Sequence, residues 1–152
     1  MSLRKRLFGK GKASSVGDQD NDHSTRRPEL RDAWTAFDAA DFVTAITAVR
    51  PYLAVADSKV SREARKLVAL AEFQQENYSE SMVLFQGLAA VSADAADWFN
   101  VITSATLADE VATAEHALLI AIQCQNACGH AQQPSVNYMR YYFGCALCDR
   151  SE

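Results

Sequence analysis

Ala40-Asp41-Phe42-Val43-Thr44-Ala45-Ile46 and Glu76-Asn77-Tyr78-Ser79-Glu80-Ser81-Met82 share one pattern. Each has an acidic or amide residue, then an aromatic, then a small residue three further on, then an aliphatic. Phe42 and Tyr78 stand 36 residues apart. A weaker copy, Glu110-Val111-Ala112-Thr113-Ala114-Glu115, puts Ala114 33 residues after Ser81. Self-similarity at roughly 34 residues is the mark of stacked helix-turn-helix units. Such units bury their apolar faces only by stacking on neighbours. The pattern therefore points to a binding scaffold, whose partner the sequence does not name.

Working outward, 152 residues suffice for one domain with its own core. Alternating β-branched and aromatic runs, the mark of strands, are missing, whereas alanine is abundant from Ala33 to Ala131. The expected fold is all-α, with about seven helices. Charge is unevenly divided. Residues 1–27 hold seven basic and three acidic side chains, a net of +4; the rest holds 8 basic and 16 acidic, a net of −8. A domain so acidic is a poor match for nucleic acid, which needs clustered cations against phosphates. No run of 18 apolar residues suggests a membrane span, and Leu3, Leu7 and Phe8 are isolated among charges rather than forming a signal-peptide core. A cytoplasmic location with reduced cysteines is the expectation.

Residues 1–27, rich in Gly, Ser and charge, read as a flexible tail that cannot offset its ordering entropy. Residues 28–152 read as the helical domain. Its first helix is expected at about 28–39, opened by Pro28 in the first turn. The second, about 41–53, carries Phe42, Ala45, Ile46 and Val49 at helical spacing and is ended or kinked by Pro51. A third, capped by Asp57, Ser58 or Ser61, runs to about 75, and a fourth spans about 78–91. The fifth starts at Ser92 or Asp94 and ends near 107. The sixth spans about 110–125, Asn126 to Gln133 form a loop with Asn126, Gly129 and Pro134 as its breakers, and a seventh helix fills about 134–148.

These residues resemble the tetratricopeptide repeat family. Val68-Ala69 and Phe143-Gly144 fit its large-small pair in the first helix of a unit. Phe42 with Ala45, and Tyr78 with Ser81, fit its second-helix pair, and Trp98 its early first-helix aromatic. Ile102 departs from the pattern, standing where a small residue is usual, and the closing proline between units is missing. The resemblance covers roughly residues 27–148, as three helix pairs plus a final helix. It implies a right-handed superhelix of antiparallel helix pairs whose first helices line a concave, peptide-binding groove. In that register Leu30, Trp34, Phe37, Lys66, Leu70, Phe73, Phe99, Thr103, Tyr138 and Tyr141 face the groove. Trp34, Phe73 and Phe99 would serve equally as core between units.

Other constellations carry less. Arg62, Arg65 and Lys66 share a helix face with Lys59 nearby, suited to an acidic peptide or simply to solvent. Cys124, Cys128, Cys145, Cys148 and His130 invite a zinc reading. In antiparallel helices, however, the second Cys pair lies roughly 15 Å or more from the first at 1.5 Å rise per residue. The cysteines read as small hydrophobes, and no metal or cofactor is expected. Residues 1–12, with Arg4, Lys5, Arg6, Lys10 and Lys12 beside Leu7 and Phe8, offer a membrane-surface alternative. No phosphate loop, His-Glu-x-x-His or Gly-x-Ser-x-Gly occurs, so no catalytic residue is assigned. The final helix is unusually apolar. Tyr141, Tyr142, Phe143 and Leu147 spread around it, and one side should be left for a second copy, for a partner, or for a following helix outside this sequence.

Overall fold

Three tight turns organise the chain, and each is built the same way. Ala40, Glu76 and Asp109 adopt positive φ, at 60°, 69° and 71°. At each, the residue after the turn donates its N–H five residues back and the turn residue donates three back. These bonds are Asp41 N to Ala36 O and Ala40 N to Phe37 O, Asn77 N to Glu72 O and Glu76 N to Phe73 O, and Glu110 N to Ala105 O and Asp109 N to Thr106 O. This is the Schellman arrangement, which satisfies the last carbonyls of a helix and reverses the chain. The turns stand 36 and 33 residues apart, the same intervals that the sequence repeats.

The computed structural model describes residues 26–55, 58–92, 94–128 and 135–150. The helices are α1 (Arg31–Asp38), α2 (Phe42–Val49), α3 (Ser58–Gln74), α4 (Tyr78–Ala89), α5 (Ala95–Leu107), α6 (Val111–Cys128) and α7 (Val136–Arg150). Short 3-10 turns occupy Pro28–Leu30 and Arg50–Tyr52. No strand occurs among the described residues. Pro51 lies in the second 3-10 turn and closes α2 as expected. Asp41 and Asp94 cap α2 and α5, accepting from Thr44 N and Ala96 N. Hydrogen bonds from the Thr44 side chain and backbone hold the Asp41 carboxyl below its ordinary range, so this cap is present at neutral pH and lost on acidification.

Several boundaries differ from expectation. Ser61 is no cap: its hydroxyl donates to Leu53 O at 2.8 Å, from inside α3. α4 stops at Ala89 rather than Val91. α6 continues through Asn126 to Cys128, because an exposed asparagine weakens a helix only slightly and nothing there forces a turn. Asp57, Gly129, His130 and Pro134 lie outside the described residues.

Each helix packs chiefly on the next in sequence, and α5 also reaches α7. Each second helix buries a small residue and, four later, a larger one: Ala45 and Val49 at 0% exposure, Ser81 and Phe85 at 0 and 3%, Ala114 and Leu118 at 0 and 8%. Ser81 Oγ donates to Ala69 O at 2.9 Å, so only a small residue lets α4 approach α3 this closely. Ile102, in the place of Ala33 and Ala69, is nonetheless fully buried. Two cores result. One gathers Leu30, Ala33, Ala45, Val49, Val60, Ala64 and Leu67. The other is centred on Phe85, Leu88, Val101, Ile102, Met139 and Tyr142.

The turns carry a testable strain. A left-handed residue with a Cβ costs roughly 1–2 kcal/mol, a cost glycine escapes. Ala40→Gly and Glu76→Gly should therefore each raise the unfolding free energy by about 1 kcal/mol in urea titrations, while glycine within α3 should lower it. Asp109 should gain less, because aspartate tolerates this region better than alanine.

Candidate functional site

The alternate helices α1, α3, α5 and α7 are tied to one another by side chains. Trp34 Nε1 on α1 donates to Glu63 Oε1 on α3 at 2.8 Å. Arg62 on α3 donates to Asp97 Oδ2 on α5 at 2.6 Å. Phe99 on α5 meets Tyr138 and Tyr142 on α7, ring centroids 5.6 Å apart in each case. The four first helices thus stand in chain order, and the expected groove residues lie along them.

Each of those residues has a definite place. Trp34 is half-buried, edge-on to Phe37 at 5.6 Å, with the Arg26 guanidinium 4.3 Å over its ring. Arg26 also holds Asp38 at 2.6 Å, and Arg27 donates its N–H to Glu63 at 3.2 Å. These two arginines, assigned by sequence to the tail, therefore belong to the domain; residues 1–25, including the basic stretch 1–12, lie outside the described residues. A cleft of about 290 Å³ opens here among Arg26, Arg31, Trp34 and Thr35.

Phe37 and Phe73 are half-buried and serve the turns. Phe37 stands edge-on to Phe42 at 5.5 Å, and Phe73 to Tyr78 at 5.3 Å. Each pair spans five residues across a turn, which explains the repeated aromatic at the start of the second helix. Leu70 is half-buried against the larger core, and Phe99 is half-buried against α7. Lys66 is exposed. Leu30 is 1% exposed and belongs to the core, not to a groove surface, because the 3-10 turn rolls it inward.

On α7 the sequence spread the apolar residues too evenly. Tyr142 is 2% exposed, packed under Phe99, and so is withdrawn from any second copy. Phe143 is half-buried against the same core. Tyr141 and Leu147 are the outward pair, at 67 and 41%, with Tyr138 at 36%. Among the described residues, neither Tyr142 Oη, despite its burial, nor Thr106 Oγ1 meets a hydrogen-bond partner. Burial, with smaller contributions from the phenols of Tyr138 and Tyr78, pushes Tyr142 well above the ordinary tyrosine value.

The supposed basic face of α3 divides. Arg62 serves Asp97 and Leu88 O, and Arg65 donates to Leu53 O at 3.3 Å, leaving Lys66 pointing outward. Sequence reasoning missed Glu63 and Asp97 as partners, although their offsets from Trp34 and Arg62, 29 and 35 residues, lie near the repeat length. It also missed a second cleft, about 390 Å³, between α3 and α4, lined by Leu53, Arg65, Val68, Val83 and Leu84. Cys124, Cys128 and Cys145 are half-buried and Cys148 is exposed, and among the described residues they form no disulfide. Among the described residues no cluster of three or more His, Cys, Asp or Glu side chains could hold a metal ion, and no helix is long and apolar enough to cross a membrane.

Comparison with family models, with curated proteins and with solved structures gives no match. The class that the fold defines is an all-helical protein.

Proposed function

We propose that the chain is a non-catalytic protein-interaction scaffold of tetratricopeptide type, a cytoplasmic adaptor that receives a peptide or protein segment along α1, α3, α5 and α7. One observation carries this reading: Trp34, Phe73, Phe99 and Tyr138 lie on successive first helices and each keeps part of its ring open. Aromatic side chains fixed by neighbours lose little entropy on binding and often dominate interface energies. The −8 balance of residues 28–152 favours a segment with basic residues flanking its apolar anchors, because complementary charge speeds encounter.

Selection from a displayed peptide library against the full chain tests this. Peptides that emerge should lose about tenfold or more in affinity, about 1.4 kcal/mol, on Trp34→Ala, Phe99→Ala or Tyr138→Ala. Val43→Asp and Val83→Asp, exposed on α2 and α4, should leave binding unchanged, with circular dichroism confirming that every variant folds. Loss confined to the valine variants would place recognition on the second helices instead.

A further inference from the structure

The two faces of α7 differ sharply. Met139, Tyr142 and Ala146, spaced by three and four residues, are 0, 2 and 3% exposed. α3 buries the same spacing: Ala64, Leu67 and Ala71, each at 0%. That register sets Gly144 level with Ala69 and Leu147 level with Glu72. In α3 the Ala69 position faces the helix that follows, as the bond from Ser81 shows. Its counterparts Ala33 and Ile102 are also buried, at 2 and 0%. Gly144 is exposed, and a Cβ there would meet nothing within 4 Å among the described residues. The face of α7 that answers to the covered face of α3 is thus left open by the described residues.

We propose that a second copy of the chain covers this face, the two α7 helices lying antiparallel about a two-fold axis near Gly144. Charge complementarity supports it. In that pairing the exposed Arg140, early in α7, comes beside the last carbonyls of the other α7, the negative end of a helix. The fold makes a contact of this kind once already, where Arg62 early in α3 donates to Leu88 O near the end of α4 at 3.2 Å. The surface is also self-complementary, as a two-fold requires. Gly144 admits close backbone approach, and Tyr141 and Leu147, three residues to either side, meet across the axis. Two helices of 15 residues, each about 22 Å long, bury on the order of 1,000 Å² in all, the low end for specific interfaces. The dimer is therefore weak and concentration-dependent. It does not depend on the groove reading.

Sedimentation equilibrium of the full chain, from low micromolar to several hundred micromolar, tests the pairing. The expected average mass rises from that of one chain toward that of two. Gly144→Gln fills the open space and removes a helix-weakening glycine, so its thermal midpoint should not fall, yet it should stay monomeric throughout. Tyr141→Glu should do the same by placing a charge in the seam. A monomer at every concentration overturns the proposal. A dimer that survives both substitutions overturns it too, by locating association elsewhere.

Discussion

Phe85→Ala is expected to lower the unfolding free energy by about 3–5 kcal/mol, the range for large aromatics truncated in a packed interior. Phe85 is 3% exposed and sits in the larger core among Leu88, Val101 and Ile102. It follows Ser81 by four residues, the place that Val49 and Leu118 hold in the other units, and is the largest of the three. Little can relax into the gap. Helix α4 is held against α3 by the Ser81 hydroxyl, which also lies 3.3 Å from Ser104 Oγ on α5. A domain of this size has about 5–15 kcal/mol in total, so the variant should be close to unfolded in mild urea. Val83→Ala, on the same helix but 62% exposed, should change stability by less than about 0.5 kcal/mol. Equal effects at the two sites, measured by urea titration, would mean that α4 does not present Phe85 to the core.

Substitutions at Tyr142 are expected to move stability in opposite directions. Tyr142→Ala removes a ring packed on Phe99 and should cost about 3–5 kcal/mol. Tyr142→Phe keeps the ring and removes a buried hydroxyl that has no partner among the described residues, and should stabilise by about 1–2 kcal/mol. The two effects also differ with pH. Because the folded state holds the phenol neutral above its ordinary value near 10, the unfolded chain loses that proton first. Above pH about 10 the unfolded form binds fewer protons than the folded form, so stability falls as pH rises. Tyr142→Phe should flatten that alkaline decline, whereas Tyr141→Phe, at an exposed position, should leave it in place. A Tyr142→Phe variant less stable than the parent would show that its hydroxyl is bonded after all.

Much of the fold was legible because its repeating unit is marked by small residues. Ala45, Ser81 and Ala114 recur at intervals of 36 and 33, and each is fully buried where a second helix meets a first. The aromatics at Phe42 and Tyr78 were equally readable as repeats, but not their purpose. Only the structure pairs them with Phe37 and Phe73 across the turns. The positive φ at Ala40 and Glu76 was hidden, since neither residue is the glycine or asparagine that announces such a turn. Helix rotation was hidden as well. Adjacent residues differ by about 100° of face, so Tyr141 and Tyr142 look alike in sequence while one is open and the other enclosed. The pairing of Arg62 with Asp97 was obscured because charges four apart on one helix draw the eye before a partner on another.

Helix α3 contributes to both cores: Val60, Ala64 and Leu67 to the first, Ala69 to the second. Among the described residues no other helix does so. The two cores thus share one helix. Native-state hydrogen exchange is expected to show Pro28 to Tyr52 opening as a unit while α4 to α7 stay protected. A ligand lying across Trp34 and Phe99 would grip both parts together. Its binding would then register as a loss of sub-global opening at the amino-terminal end.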